Sequence, residues 1–270
     1  MKLALAQLDQ TAGSVSKNLD RAATAVADAA ARGADLVVLP ELFTVGYFAF
    51  ETYDRAAEGL DGPTFARLAD LAADHGVGLL AGSHVEDLEA SAAAGVDVPA
   101  DEGLANTCAF YDRSGIRRAV YRKHHLFGYE SAETRLLTPG ESLATVDFEG
   151  FTVGMSTCYD LRFPELYRRL ADRGATLVCV PSAWPYPRVE HWRTLTRARA
   201  IENLCYVAAA NGAAAFDDAT LLGRSTVYDP WGTTLASADD DPTLVVADVD
   251  PGRVEAVREE FPALGDRRDW

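Results

Sequence analysis

Residues 151–166, FTVGMSTCYDLRFPEL, indicate the fold class most clearly. The apolar run Phe151–Met155 has the length and composition of a buried strand. A helix then begins near Pro164, which suits a first helical turn because its nitrogen has no hydrogen to leave unpaired. Cys158 therefore lies on a tight strand-to-helix turn, which exposes a thiol at a sheet end beside backbone N–H groups. The nearby helix N-terminus is also expected to favour the thiolate.

The same alternation of apolar runs and amphipathic stretches extends in both directions. Strands are predicted at 2–8, 35–39, 77–83, 106–111, 116–122, 143–148, 151–156, 176–181, 205–211, 224–228, 233–236 and 243–249. Helices are predicted at 17–32, 64–75, 164–172, 189–203 and 251–260. Hairpins mixed with β-α units predict mixed sheets in an α/β fold. The acidic stretch 87–103 is predicted to be a surface loop, and the tail 261–270 either disordered or packed on a partner subunit.

The charge balance excludes several classes of partner. The 270 residues include 41 acidic and 25 basic side chains, a net charge of -16, and the only lysines are Lys2, Lys17 and Lys123. Such a surface repels nucleic acid and anionic membranes, so neither is expected as a partner. No apolar run is long enough for a membrane span, and the N-terminus resembles a strand rather than a signal peptide, which predicts a cytoplasmic protein. Arginine and aspartate in place of lysine and glutamate resemble halophilic archaeal proteins and predict a high-salt cytoplasm, with an ordinary solvated acidic face as the alternative.

The four cysteines fall into two groups. Cys108, Cys179 and Cys205 lie in apolar runs and are predicted to be buried small hydrophobes. Cys158 instead follows the polar pair Ser156-Thr157. The sequence has no C-x-x-C pair and no clustered Cys/His spacing typical of zinc, so no metal site is predicted.

Two more predicted strands end in charged residues. Glu41 follows the apolar strand 35–39 and Pro40, and a carboxylate flanked by apolar residues should have a raised pKa and can act as a general base. Lys123 follows the strand 116–122, in a chain that has lost nearly every other lysine, which favours a specific task for it. Its ammonium could hold an oxyanion or lower a thiol pKa. Taken alone, the segment around Glu41 or Lys123 is also consistent with a solvent-exposed charged side chain that has no catalytic role.

Taken together, the segments around Glu41, Lys123 and Cys158 resemble the nitrilase superfamily of carbon–nitrogen hydrolases, and the resemblance extends over nearly the whole chain. The matching segments are LPE at 39–41, YRK at 121–123, HLF at 125–127, TPG at 138–140, CYDLRFPEL at 158–166, GA at 174–175, PSA at 181–183, RARAIEN at 197–203 and AN at 210–211. The resemblance implies a four-layer α-β-β-α sandwich with two mixed sheets, in one carbon–nitrogen hydrolase domain spanning 1–270. It also implies at least a homodimer, and a reaction without metal or organic cofactor.

The resemblance further implies a role for each of the three charged or nucleophilic residues. Cys158 would attack the substrate carbon and form a thioester, while Glu41 would take the thiol proton and later activate water. Lys123 would stabilise the tetrahedral intermediates together with the backbone N–H of Tyr159. Many members of the superfamily carry a second glutamate, and Glu133 and Glu130 both fit that position, Glu133 being favoured by its offset from Pro139.

Five residues are the expected supporting and substrate-positioning groups: Tyr47, Tyr159, Arg162, Ser182 and Trp184. For Arg162, support of the turn after the nucleophile is an equal alternative to substrate contact. For the other four, ordinary packing is an equal alternative.

The residues after the nucleophile indicate which bond is cleaved. Cys158-Tyr159-Asp160 departs from the Cys-Trp-Glu of nitrile-cleaving members and resembles the amidase branch. We therefore predict that the chain releases ammonia from a small, carboxylate-bearing, ω-amide-like substrate, with an arginine near the site available to pair with the carboxylate. N-carbamoyl hydrolysis and nitrile hydrolysis are alternatives of the same class. A catalytically silent ligand-binding member of the fold is the alternative of a different class.

Overall fold

The computed structural model describes residues 1–129, 131–217 and 219–268. Its strands are β1 (Lys2–Gln7), β2 (Leu36–Val38), β3 (Gly78–Leu80), β4 (His84–Asp87), β5 (Leu104–Tyr111), β6 (Arg117–Arg122), β7 (Ala144–Phe148), β8 (Phe151–Met155), β9 (Leu177–Ser182), β10 (Tyr206–Asn211), β11 (Thr226–Tyr228), β12 (Thr234–Ser237) and β13 (Thr243–Asp248). Its α-helices are α1 (Val15–Ala31), α2 (Tyr53–Ala56), α3 (Pro63–His75), α4 (Leu88–Ala93), α5 (Glu133–Leu136), α6 (Pro164–Asp172), α7 (Val189–Asn203) and α8 (Pro251–Glu260).

The strands form two mixed sheets. The first has the order β13-β1-β2-β3-β5-β4, with β6 paired to β5, and the second has the order β12-β11-β10-β9-β8-β7. Strands β1, β2 and β3 are mutually parallel in the first sheet, as are β8, β9 and β10 in the second. Antiparallel strands flank both parallel groups, as the mixture of hairpins and β-α units predicts.

Alternating side chains place each sheet between a helical layer and the other sheet. On the first sheet, one set of side chains shares a hydrophobic cluster with α1 and α3: Ala4, Ala6, Val37, Leu39, Val26 and Leu68. The opposite set shares a cluster with the second sheet: Leu3, Leu5, Leu36, Val38, Val178 and Val207. Leu170 of α6 and Trp192 of α7 extend that cluster around the second sheet. The predicted four-layer α-β-β-α sandwich is therefore confirmed.

Most predicted elements agree with the structure to within one or two residues, but the stretch 87–103 does not form only a loop. It begins with the last residue of β4 and continues into helix α4. The side chain of Asp87 accepts a hydrogen bond from the backbone N–H of Ala90 at 3.1 Å and so caps α4. The acidic composition that suggested a loop therefore supplies a helix N-cap.

The described part of the tail contacts its own chain. The Phe261 ring centroid lies 5.8 Å from that of Trp231, and the Arg267 guanidinium lies 2.6 Å from the Asp172 carboxylate. Residues 269–270 of the predicted tail lie outside the described residues. Among the helices of the described ranges, none combines the length and apolarity that crossing a bilayer requires.

Candidate active site

The turn that carries Cys158 is strained in the manner expected of an exposed nucleophile. Cys158 has a backbone φ of +45°, a left-handed conformation that is unfavourable for a residue with a side chain. Thr157 and Asp160 hold the turn through reciprocal caps, since the Asp160 carboxylate accepts from the Thr157 N–H at 2.9 Å. A short 3-10 helix, Cys158–Arg162, separates β8 from α6, and Pro164 begins α6 as predicted.

Glu41 lies beyond the end of β2 and is fully buried. Its Oε1 accepts from Lys123 Nζ at 2.8 Å and from Asn106 Nδ2 at 2.9 Å, and its Oε2 accepts from the Ala183 N–H at 2.9 Å. Because Ala183 follows β9, the carboxylate spans the two sheets. Burial raises the pKa of Glu41, Lys123 lowers it in part, and Glu133 raises it again, so the net shift is upward.

Lys123 follows β6 and directs its ammonium at two carboxylates. Nζ donates to Glu41 Oε1 at 2.8 Å, to Glu133 Oε1 at 2.7 Å and to Glu133 Oε2 at 3.0 Å. Burial by itself lowers the pKa of Lys123, but Glu133 and Glu41 raise it further, so the net pKa is well above the ordinary lysine value. The two carboxylates therefore favour the charged ammonium form of Lys123.

Glu133 is the second buried carboxylate. It begins the short helix α5 and is fully buried, where it accepts hydrogen bonds from Tyr47 Oη and the Phe127 N–H, each at 2.8 Å, in addition to those from Lys123. Of the two glutamates that fit the second position, Glu133 is the one seen to contact Lys123. Glu130 lies outside the described residues.

The expected stabilisation of the thiolate is wrong for this arrangement of charges. Burial and the Glu41 carboxylate raise the pKa of the Cys158 thiol well above its ordinary value, and Lys123 offsets only part of that rise. The reason is that the Lys123 N–H groups donate to carboxylates, and one of those carboxylates faces the sulfur. Cys158 therefore keeps its proton until Glu41 removes it. Burial raises the pKa of both groups, and their close contact couples the two titrations.

Cys158 and Lys123 lie on the wall of a cavity of about 290 Å³. The other residues that line it are Tyr47, Phe48, Phe127, Tyr129, Tyr159, Arg162, Ala183, Trp184, Pro185, Tyr186, Pro187, Arg188 and Ala219. Four of the five predicted supporting residues are among them. Ser182 is not: its backbone carbonyl accepts from the Glu41 N–H at 3.4 Å, and its hydroxyl donates to its own strand at Val180. The strand therefore turns Ser182 behind Glu41 and presents Ala183 to the cavity.

A buried network behind the cavity links the strand end of Lys123 to the nucleophile turn. The Asp160 carboxylate accepts from Tyr121 Oη at 2.6 Å and from the His125 N–H at 3.0 Å, and lies 2.8 Å from His125 Nδ1. The His125 ring stacks on Phe163 with centroids 3.7 Å apart. Among the described residues, no cluster of three or more His, Cys, Asp or Glu side chains is placed to bind a metal ion.

Several contributors were missed from the sequence. Asn106 lies within β5, and nothing in its window marks it as a partner of Glu41. Arg188 precedes α7 in the Pro-Tyr-Pro-Arg segment, and its place just beyond the end of β9 was the available signal.

Fold and site together define a cysteine-dependent hydrolase. Residues 2–259 match the family model for the carbon-nitrogen hydrolases, and the chain belongs to that family. It is 36% identical over 239 residues to 2-oxoglutaramate amidase of Paenarthrobacter nicotinovorans, covering 87% of this chain and 79% of that protein. It is 35% identical to omega-amidase NIT2 of Homo sapiens, covering 99% and 95%. The solved structure of Saccharomyces cerevisiae Nit3, a member of branch 10 of the nitrilase superfamily, superposes with a TM-score of 0.86 at 30% identity, covering 97% and 94%.

Proposed function

We propose that this chain hydrolyses a small carboxylate-bearing amide and releases ammonia, through a thioester on Cys158. The observation that carries the proposal is the position of one ammonium between two carboxylates beside a protonated thiol at a cavity wall. Two relatives named as amidases of 2-oxoglutaramate and ω-amides support the same substrate class.

The charges of the site suit nucleophilic attack on a carbonyl. As the Cys158 sulfur bonds to the carbonyl carbon, Glu41 takes the thiol proton, and the negative charge passes from Glu41 to the substrate oxygen. Lys123, and the Tyr159 N–H in the first turn of the 3-10 helix, are the donors expected to hold that oxygen. The charge of the buried site is conserved in this step, so no new charge is desolvated.

Collapse of the tetrahedral adduct completes acylation. The C–N bond breaks, the nitrogen takes the proton from Glu41, and ammonia leaves a thioester on Cys158. Water then attacks the thioester while Glu41 accepts its proton, and the restored thiol and a carboxylic acid are the products. Because Glu41 must begin as a carboxylate, activity should fall as the pH drops through its pKa, which burial places above the ordinary glutamate value.

Arg162 is the group we assign to the substrate carboxylate. Its guanidinium carbon lies 5.0 Å from the Trp184 ring and 5.7 Å from the Tyr159 ring, on the wall of the same cavity as Cys158. Stacking on aromatic rings fixes the guanidinium plane. One guanidinium nitrogen of Arg162 lies 3.2 Å from His191 Nδ1, and the remaining N–H groups can bind an anion.

Glutaramate and butyramide test this assignment, since they differ chiefly in the terminal carboxylate. We expect kcat/KM to be about 10- to 100-fold higher for glutaramate, and Arg162→Met to remove most of that difference, because a hydrogen bond to a charged group contributes about 1.5–3 kcal/mol. Ammonia release in high KCl is the measurement. Equal rates for both amides in the unmodified enzyme would contradict the substrate class, and faster release from nitriles or carbamoyl compounds would favour those alternatives.

Replacing Glu133 with glutamine tests its role as a positioning residue. We expect kcat to fall about tenfold or more with a smaller change in KM, because Lys123 loses a partner that fixes its ammonium. Since the Glu133 charge raises the pKa of Glu41, the acidic limb of the kcat/KM profile should also move to lower pH. Glu130→Gln is the matched control. A loss of activity there, with a normal Glu133→Gln enzyme, would reverse the assignment.

We also propose that the acidic surface adapts the protein to a high-salt cytoplasm. Exposed acids stand side by side in the segments 101–102 and 239–241, where like charges repel each other. Molar KCl screens that repulsion, so the melting temperature should rise by several degrees between low and molar KCl. Thermal unfolding over that range is the measurement, and a falling melting temperature would count against the proposal. Assembly into at least a dimer stays a prediction from the sequence.

A further inference from the structure

The cavity contains a second guanidinium besides that of Arg162. The Arg188 guanidinium carbon lies 5.8 Å from the Phe127 ring centroid, and both arginines line the cavity that contains Cys158. Arg188 precedes α7, whereas Arg162 ends the 3-10 helix after the nucleophile. Two separate segments of the chain thus each bring a cation to one small, largely aromatic space.

Neither guanidinium is neutralised within the described ranges 1–129, 131–217 and 219–268, where no carboxylate pairs with Arg162 or Arg188. Partial burial without a counter-charge is costly for a cation. Other partly buried arginines do pair: Arg122 with Glu86 at 2.6 Å is one case. In a chain with 41 acidic residues against 25 basic ones, two cations in one cavity that have no carboxylate partner among the described residues point to an anionic ligand.

Trp184 contacts both arginines. Its ring face carries the Arg162 guanidinium, and its indole N–H donates to the Arg188 backbone carbonyl at 3.1 Å. Trp184 is buried, so the indole fixes the start of the Arg188 side chain relative to Arg162. The two guanidiniums rest on different rings, Arg162 on Trp184 and Tyr159 and Arg188 on Phe127. The two guanidinium groups are therefore positioned by different aromatic rings.

We propose that Arg162 and Arg188 are two anion subsites and that the preferred substrate carries two carboxylates besides the reacting amide. This inference rests on the proposed amide hydrolysis. A cavity of about 290 Å³ is near the lower end of the range of ligand pockets, which fits a short acyl chain with a second acidic branch. Arg188 is then a specificity-determining residue for the second carboxylate.

Glutaramate and 3-carboxyglutaramate form a matched pair of probes, with one and two carboxylates respectively. We expect the unmodified enzyme to release ammonia from 3-carboxyglutaramate with a kcat/KM at least about tenfold higher, as one further charged hydrogen bond allows. Arg188→Met should abolish that advantage, lowering kcat/KM at least about tenfold for 3-carboxyglutaramate and by a smaller factor for glutaramate. Arg193→Met, an exposed arginine on α7 that is outside the cavity, is the charge-matched control and should behave as the unmodified enzyme.

The possible outcomes separate this inference from the proposed function. If no amide releases ammonia, the proposed function fails. If glutaramate is hydrolysed but the second carboxylate brings no advantage, the proposed function stands and the second subsite is wrong. If Arg188→Met weakens both substrates equally, the two arginines hold one carboxylate together, which also overturns the inference.

Discussion

Cys158→Ala is expected to abolish ammonia release, with a loss of at least about ten-thousand-fold in kcat. Alanine removes the only atom that can form the thioester, and neither Glu41 nor Lys123 can replace a sulfur nucleophile at that position. The variant should fold normally, because Cys158 projects into the cavity and its loss leaves no buried charge unpaired. Ammonia release and thermal unfolding of the same preparation are the two measurements.

The matched control for this variant is another thiol of the same chain. Cys205 is buried in the core with 1% exposure, so Cys205→Ala should lower stability slightly and leave kcat unchanged. Acid quenching during turnover should trap the acyl group on Cys158 alone. Activity that survives in Cys158→Ala would refute the mechanism and leave the silent, ligand-binding alternative or a different nucleophile.

Lys123→Met should cause the largest loss of stability. It leaves Glu41 and Glu133, both fully buried, without the ammonium that lies between them. Breaking a buried ion pair by removing one partner costs about 3–5 kcal/mol of unfolding free energy. Because Lys123 lowers the pKa of Glu41, its removal raises that pKa further, so the folded variant takes up protons more readily than the unfolded chain. The loss of stability should therefore be smaller at pH 5 than at pH 8.

Two companion variants make this result specific. Lys17→Met removes an exposed lysine and should leave both stability and activity unchanged. The double variant Lys123→Met with Glu133→Gln removes one of the two like charges and should be more stable than Lys123→Met alone. Chemical denaturation of the three proteins at both pH values gives the comparison, and a Lys123→Met protein as stable and active as the original would contradict the assigned charges.

Glu41 and Cys158 could be predicted from the sequence because each lies shortly after a strongly apolar strand, β2 or β8. Lys123 directly follows β6, whose sequence RRAVYR is only partly apolar. A sheet collects strand ends at one edge, which is where a site is expected. Lys123 could also be singled out because the chain has so few lysines.

The contacts between side chains could not be predicted in the same way. Asn106 bonds to Glu41 across 65 positions, and no local pattern reports such a distance. The upward shift of the thiol pKa follows first from the burial of Cys158 and then from the Glu41 carboxylate, and neither the burial nor that contact is visible in the local sequence. Ser182 turned away from the cavity because its backbone, not its side chain, holds Glu41.

Because the Glu41 carboxylate contacts residues from both sheets, the site depends on parts of the chain that are synthesised at different times. Glu41 and Lys123 come from the first sheet, whereas Cys158 and Ala183 come from the second. A chain that has emerged only as far as Lys123 therefore has a base and a cation but no nucleophile, and a detached second half has a thiol without its base. The base, the cation and the nucleophile therefore meet only when the two sheets pack against each other.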